Sequence, residues 1–210
     1  MTIEVQDLGL QDYVDTWQAM QTFNQNRDDT TPDQIWFVEH PPVYTQGLNG
    51  DQSHILQSLG DIPLVHSDRG GQITYHAPGQ LIMYVLIDLK RRKLGVRQWV
   101  HLLEDISIKT LADFNIHAQA RADAPGLYVN GAKIASLGLK VKRQCCYHGL
   151  ALNVDMDLTP FQRITPCGLN GMQMTQVSDI QPQVTMAQLK PGLVTQFERV
   201  LKNWPIIHNS

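Results

Sequence analysis

The dipeptide Asn130-Gly131, set between strand-like runs, constrains this chain most. A two-residue Asn-Gly link is a strong hairpin signal, because both positions accept the left-handed backbone that a tight turn between antiparallel strands needs. The stretch 116–156 around it reads as several strands, broken at Pro125-Gly126, Asn130-Gly131 and Gly138. Further strand-like runs are Ile35–Val38 (ended by Pro41-Pro42), Val43–Thr45, Leu64-Val65, Ile73–Tyr75 and Leu81–Ile87, with a turn at Pro78-Gly79 before the last. Residues 1–8 alternate like a short strand, and 51–60 are polar with at most one helical turn.

Helical spacing is confined to three places. Leu10, Tyr13, Val14, Trp17, Met20 and Phe23 form a stripe that runs to about Asn26. Val96, Trp99, Val100, Leu103, Ile106, Leu111 and Phe114 form a second over 96–114. A third helix spans about 185–203, with Pro191 near its start. Helices and strands do not alternate regularly, so the chain is expected to be α+β with a largely antiparallel sheet. At 210 residues, with no linker or repeat, a single domain over 1–210 is expected.

Composition narrows the function classes. Hydrophobic residues make up 42% and charged residues 18%, which excludes a disordered chain. A net charge of −3 argues against broad nucleic-acid binding. The start, Met1-Thr2-Ile3-Glu4, lacks the basic and apolar regions of a secretory signal, and no apolar run approaches a membrane span. Three cysteines, two of them adjacent, make no disulfide framework, so a soluble, cytoplasmic protein is expected.

Four segments carry candidate chemistry. In Arg69–Gln80, paired glycines allow close backbone approach to a ligand, while Arg69 and His76 add a cation and a titratable ring. In Gly131–Gly138, strand alternation puts Lys133 on the face of Ala135 and Leu137, with a snorkelling surface lysine as the plain alternative. In Cys145–Val154, Cys145 and Cys146 read as small residues on a central strand. His148, Gly149 and Ala151 are candidates to line a cleft, and a metal site there finds no partner pair at zinc-like spacing. In Thr165–Gly168, Cys167 is either a packing residue in a turn or a nucleophile beside an exposed N–H.

Together these segments resemble the lipoyl(octanoyl) transferase family. The runs Arg69-Gly70-Gly71-Gln72-Ile73-Thr74-Tyr75-His76, Gly131-Ala132-Lys133-Ile134-Ala135, His148-Gly149-Leu150-Ala151-Leu152-Asn153-Val154 and Pro166-Cys167-Gly168 occur in family order. Ala77 departs from the usual glycine, which implies a small local change. The resemblance implies a fold shared with biotin and lipoate protein ligases. It also implies octanoyl transfer from acyl carrier protein to a lysine of a lipoyl domain, with 2-oxoacid dehydrogenases and the glycine cleavage H protein as acceptors. Cys167 is then the acyl-accepting thiol and Lys133 lowers its pKa and moves protons. The acyl pocket is implied to be lined by Arg69, Gly70, Gly71, Gln72, Ile73, Thr74, Tyr75 and His76, by Ser136, Leu137 and Gly138, and by Gly149, Leu150 and Ala151. Thioester donors make ATP, metal and other cofactors unnecessary.

Lys90-Arg91-Arg92-Lys93 is the expected docking block for an acidic carrier protein, whereas Lys140, Lys142 and Arg143 are as readily a solvated loop. The rival readings are an ATP-dependent lipoate or biotin ligase on the same fold, a non-catalytic module binding an acyl group or lipoyl domain, and a cysteine hydrolase.

Overall fold

The structure, a computed structural model, describes residues 3–165 and 171–203. Its strands are β1 (Ile3–Leu10), β2 (Asp33–Glu39), β3 (Val43–Gln46), β4 (Leu64–His66), β5 (Ile73–His76), β6 (Gln80–Asp88), β7 (Gln119–Ala120), β8 (Leu127–Val129), β9 (Ala132–Lys142) and β10 (Cys145–Asn153). Its helices are α1 (Tyr13–Asn26), α2 (Val96–Ala112) and α3 (Met186–Asn203). Two sheets result, with strand orders β1-β2-β6-β10-β9-β8-β7 and β4-β3-β5. Among the described strands, only β1–β2 and β3–β4 pair in parallel, so the α+β, largely antiparallel expectation describes the molecule.

Alternation along β6 explains the layers. Leu81, Met83, Val85 and Ile87 enter one core with Trp99 and Leu103 of α2 and Phe197 of α3. Ile82, Tyr84 and Leu86 enter another with Met20 of α1. Both faces of β6 are covered, which is why all nine of its residues are buried. The small sheet supplies a third cluster, in which Tyr44, Ile73 and Tyr75 meet Phe161 and Ile164.

The Asn130-Gly131 signal gives the β8–β9 hairpin: both residues have positive φ (49° and 83°), and Val129 pairs with Ala132. Three expectations shift. Gly138 does not end a strand, because β9 runs through it, opposite Gly149. Leu10 lies in β1 and is exposed, since α1 begins only after Asp12, whose carboxylate accepts the N–H groups of Val14 and Asp15. Pro191 lies inside α3, not at its start. The turn at Pro78-Gly79 does not join hairpin partners; it carries the chain from the small sheet into the large one.

Candidate active site

Lys133 is the second residue of β9 and is fully buried, so the snorkelling alternative does not hold. Its Nζ donates to the carbonyl of Pro125 at 2.9 Å and lies 5.6 Å from the ring centre of Tyr128. Its backbone is stitched to a later segment: its N–H donates to Gln173 O at 2.7 Å and its carbonyl accepts from Thr175 N at 2.9 Å. Room for the side chain comes from Gly126, whose φ is +142°. A Cβ there would stand 2.5 Å from Lys133 Cε and 2.9 Å from its Nζ.

A bulge corrects the expected face of Lys133. Tyr128 pairs with Lys133 but Leu127 pairs with Ala135, so β9 holds one extra residue. Ile134 and Ala135 both enter the core as a result. The alternation resets, and Lys133 falls in phase with Ser136 and Gly138 rather than with Ala135 and Leu137. No single-strand pattern carries a signal for this, because the bulge is defined by the partner strand.

Beyond Ser136 a cleft follows the β9–β10 ladder. From the sequence-predicted set it is lined by Arg69, Gly71, Gln72, Ile73, Thr74 and His76, by Ser136, Leu137 and Gly138, and by His148, Gly149, Leu150 and Ala151. Tyr13, Ile82 and Tyr84 also line it, and the sequence reading missed all three. Gly70 and Tyr75 do not. Tyr75 alternates away, toward Tyr44 and Phe161. Gly70 instead donates its N–H to Leu139 O at 2.8 Å, pinning the 69–71 segment across β9. That crossing needs Gly138, where a Cβ would sit 3.2 Å from Arg69 Cδ and 3.3 Å from Gly70 O.

Arg69 acts as a strut. Its Nη2 donates to Thr45 O (2.6 Å), Thr45 Oγ1 (2.8 Å) and Gln72 O (2.8 Å), and its Nη1 to Gly70 O (3.0 Å). Thr45 Oγ1 in turn lies 3.2 Å from His76 Nε2, and His76 Nδ1 lies 2.7 Å from Gln80 Oε1. The amide oxygen can only accept, so His76 carries its proton on Nδ1 and accepts at Nε2. His40 repeats the logic: Nδ1 donates to Gln11 O and Nε2 accepts from the Tyr84 hydroxyl at 2.8 Å. Burial holds both rings neutral. It lowers the pKa of His40 and pushes that of His76 down to about 3, with His40 and Arg69 adding to the latter.

His148 has φ +62°, a backbone that costs a non-glycine residue about 1–3 kcal/mol. It is held there by Asp68, whose Oδ1 accepts from its Nε2 at 3.0 Å. Burial lowers the pKa of His148 against the pull of that carboxylate. Asp68 is itself pushed up by burial, but hydrogen bonds from His148, Tyr147 and Gln21 outweigh this and hold it well below the usual carboxylate range. Trp17 Nε1 also donates to Asp68, so α1 is tied to the same point.

Cys167 lies outside the described residues. Cys145 and Cys146 are buried on β10, and burial raises both thiols, that of Cys146 to about 12. Among the described residues, no group of three His, Cys, Asp or Glu side chains is placed to hold a metal. Ala77 is buried without positive φ, so its methyl group packs beside Met156 rather than straining the turn.

The basic block is not at the cleft. Arg91 Nη2 and Arg92 Nε bond the buried carboxylate of Asp33 at 2.7 and 2.6 Å, beside Arg27 at 2.8 Å, which leaves only Lys90 and Lys93 exposed.

Comparison with known proteins agrees with the fold. The profile "Lipoyl protein ligase A/B catalytic domain" matches residues 12–198. A protein named "Octanoyltransferase" from Yersinia pseudotuberculosis serotype O:1b is 59% identical over 95% of this chain and 85% of its own length. Lipoate-protein ligase A bound with ATP superposes with a TM-score of 0.76 at 14% identity, covering 96% of this chain and 86% of that one. Biotin protein ligase from Aquifex aeolicus superposes with a TM-score of 0.55 at 10% identity, covering 96% and 69%. The bulged strand under Lys133 and the cleft beyond it thus sit on a shared scaffold, and the chain belongs to the lipoyl protein ligase A/B catalytic domain family.

Proposed function

We propose that this chain is an octanoyltransferase, moving an octanoyl group from acyl carrier protein to a lysine amine of a lipoyl domain through a thioester on Cys167. The observation that carries the reading is the 59% identity, over 95% of the chain, to a protein of that name. The burial of Lys133 on β9, three residues before Ser136 of the partly apolar cleft, supports it. Cys167 lies six positions before Gln173, the residue that accepts the Lys133 N–H.

The chemistry balances without a co-substrate. The Cys167 thiolate attacks the donor thioester, and the carrier thiol leaves with the proton given up by the cysteine. The acceptor amine then attacks the Cys167 thioester, loses a proton through Lys133, and forms the amide while the cysteine thiol is restored. A positive charge beside the sulfur favours the thiolate. Lipoyl domains of 2-oxoacid dehydrogenases and the glycine cleavage H protein are the proposed acceptors, and the cytoplasm the proposed site. Among the described residues, no helix is long and apolar enough to cross a membrane.

Incubation with octanoyl-carrier protein, followed by intact-mass spectrometry, tests the reading. A single octanoyl adduct on the wild type, absent from Cys167→Ser, is expected. No adduct on any cysteine would falsify the thioester route, and acylation that consumes ATP would favour the ligase reading.

A further inference from the structure

The cleft has a direction. Ser136 pairs with Ala151 and Gly138 with Gly149, and Lys133 lies before Ser136. Moving along the ladder away from Lys133 leads to Gly149, which pairs with Tyr84 on the other side, and then to His148. There the cleft meets Arg69, whose neighbour Gly70 is pinned to Leu139.

The walls near this end are aromatic, and three of their polar atoms bond residues outside the cleft lining. The Tyr84 hydroxyl bonds His40, the His148 ring bonds Asp68, and the Tyr13 hydroxyl bonds Ser67 at 2.8 Å. None of these three partners lines the cleft. The Tyr84 and His148 rings also pack edge to face, with centres 5.9 Å apart. Each ring is therefore anchored to a residue outside the cleft lining, an arrangement that resists displacement by a longer ligand.

We infer that Tyr84 and His148, backed by the Arg69–Gly70 segment, form a fixed stop that sets the length of acyl chain the cleft accepts. The inference rests on the acyl-transfer reading above. A rigid stop discriminates on both sides. A shorter chain leaves apolar wall uncovered, losing about fourfold per missing methylene. A longer chain must move hydrogen-bonded rings.

The test compares kcat/KM for hexanoyl-, octanoyl- and decanoyl-carrier protein in three variants. Tyr84→Val removes the ring and is expected to raise the decanoyl-to-octanoyl ratio by about tenfold or more. Tyr84→Phe keeps the ring but loses the bond to His40 that anchors it, so its decanoyl-to-octanoyl ratio should rise, by less than in Tyr84→Val. Ala151→Leu adds bulk where β10 passes Ser136 and Ile82, and should lower the octanoyl-to-hexanoyl ratio by a similar factor. If Tyr84→Val does not fold, as judged by its circular dichroism melt, Ala151→Leu and Tyr84→Phe still decide. Unchanged ratios in the folded variants, or a larger shift in Tyr84→Phe than in Tyr84→Val, overturn the stop. A wild-type enzyme that is acylated by none of the three donors overturns the acyl-transfer reading instead.

Discussion

At Gly126 one hydrogen atom separates the observed position of Lys133 from a displaced one. The +142° φ there belongs to glycine, and the space that a Cβ would fill is held by Lys133 Cε at 2.5 Å and Ala135 O at 2.7 Å. The backbone oxygen cannot yield, because Ala135 is fixed between β8 and β10. Gly126→Ala must therefore move the ammonium group from its bond to Pro125 O. Displacing a catalytic group by about 1 Å can cost on the order of 100-fold. The expected result is a fall in kcat of about that size, with a stability loss of roughly 1 kcal/mol or more from the unfavourable φ. A steady-state assay beside a thermal melt checks both, and a variant with wild-type kcat would remove Lys133 from the chemistry.

Between β3, β5, β6 and α1 lies a layer of neutral imidazoles whose behaviour belongs to the elements together. His40 follows β2, His76 ends β5 and His148 sits on β10; each is buried, and burial lowers each pKa. The folded values lie below the unfolded 6.5, so the native state binds fewer protons. Stability from this source is complete above pH 6.5 and declines as pH falls, for His76 down to about 3. Each such ring contributes a slope of about 1.4 kcal/mol per pH unit within its window. Urea titrations between pH 7 and 5 should show His76→Asn with a slope shallower by about one proton, and parallel slopes would mean that His76 is charged in the native protein.

Parts of this layer were legible and parts were not. The turn chemistry of Asn130-Gly131 and the stripes of α1 and α2 report on local backbone, so the hairpin and helices could be read. The motif runs placed thirteen cleft residues on β5, β9, β10 and the segment before β5. Tyr13 and Tyr84 were hidden because each obeys its element's own apolar pattern and joins the cleft only through packing. The face of Lys133 was hidden because the β9 bulge depends on β8.

Across the whole molecule, the Lys90–Lys93 block and Lys133 occupy opposite ends of the large sheet. Lys142 pairs with Cys145, which pairs with Asp88, whereas Ala135 pairs with Leu152 near Lys133. Nine residue steps along β9 separate Lys142 from Lys133, about 30 Å at strand rise. The 89–94 loop joins the Lys142 end, since Leu89 N donates to Gln144 O. Such a separation exceeds the ~8 Å screening length at physiological salt. Lys90→Gln with Lys93→Gln should therefore leave KM for the acyl donor within about twofold, against the docking role their sequence suggests. The two arginines between them answer to a structural demand. Asp33 accepts from Arg27, Arg91 and Arg92 and from the Asp88 N–H, and these interactions together outweigh burial to lower its pKa. Among the described residues, four guanidinium nitrogens of that trio are buried without a partner: Arg27 Nε and Nη1, Arg91 Nε and Arg92 Nη2. One carboxylate thus compensates an already crowded set of cations. Asp33→Asn would leave them uncompensated, and breaking a buried pair from one side costs about 3–5 kcal/mol. Denaturant unfolding should show that loss even though the site lies far from Lys133, and a loss below about 1 kcal/mol would mean that the arginines re-solvate rather than depend on Asp33.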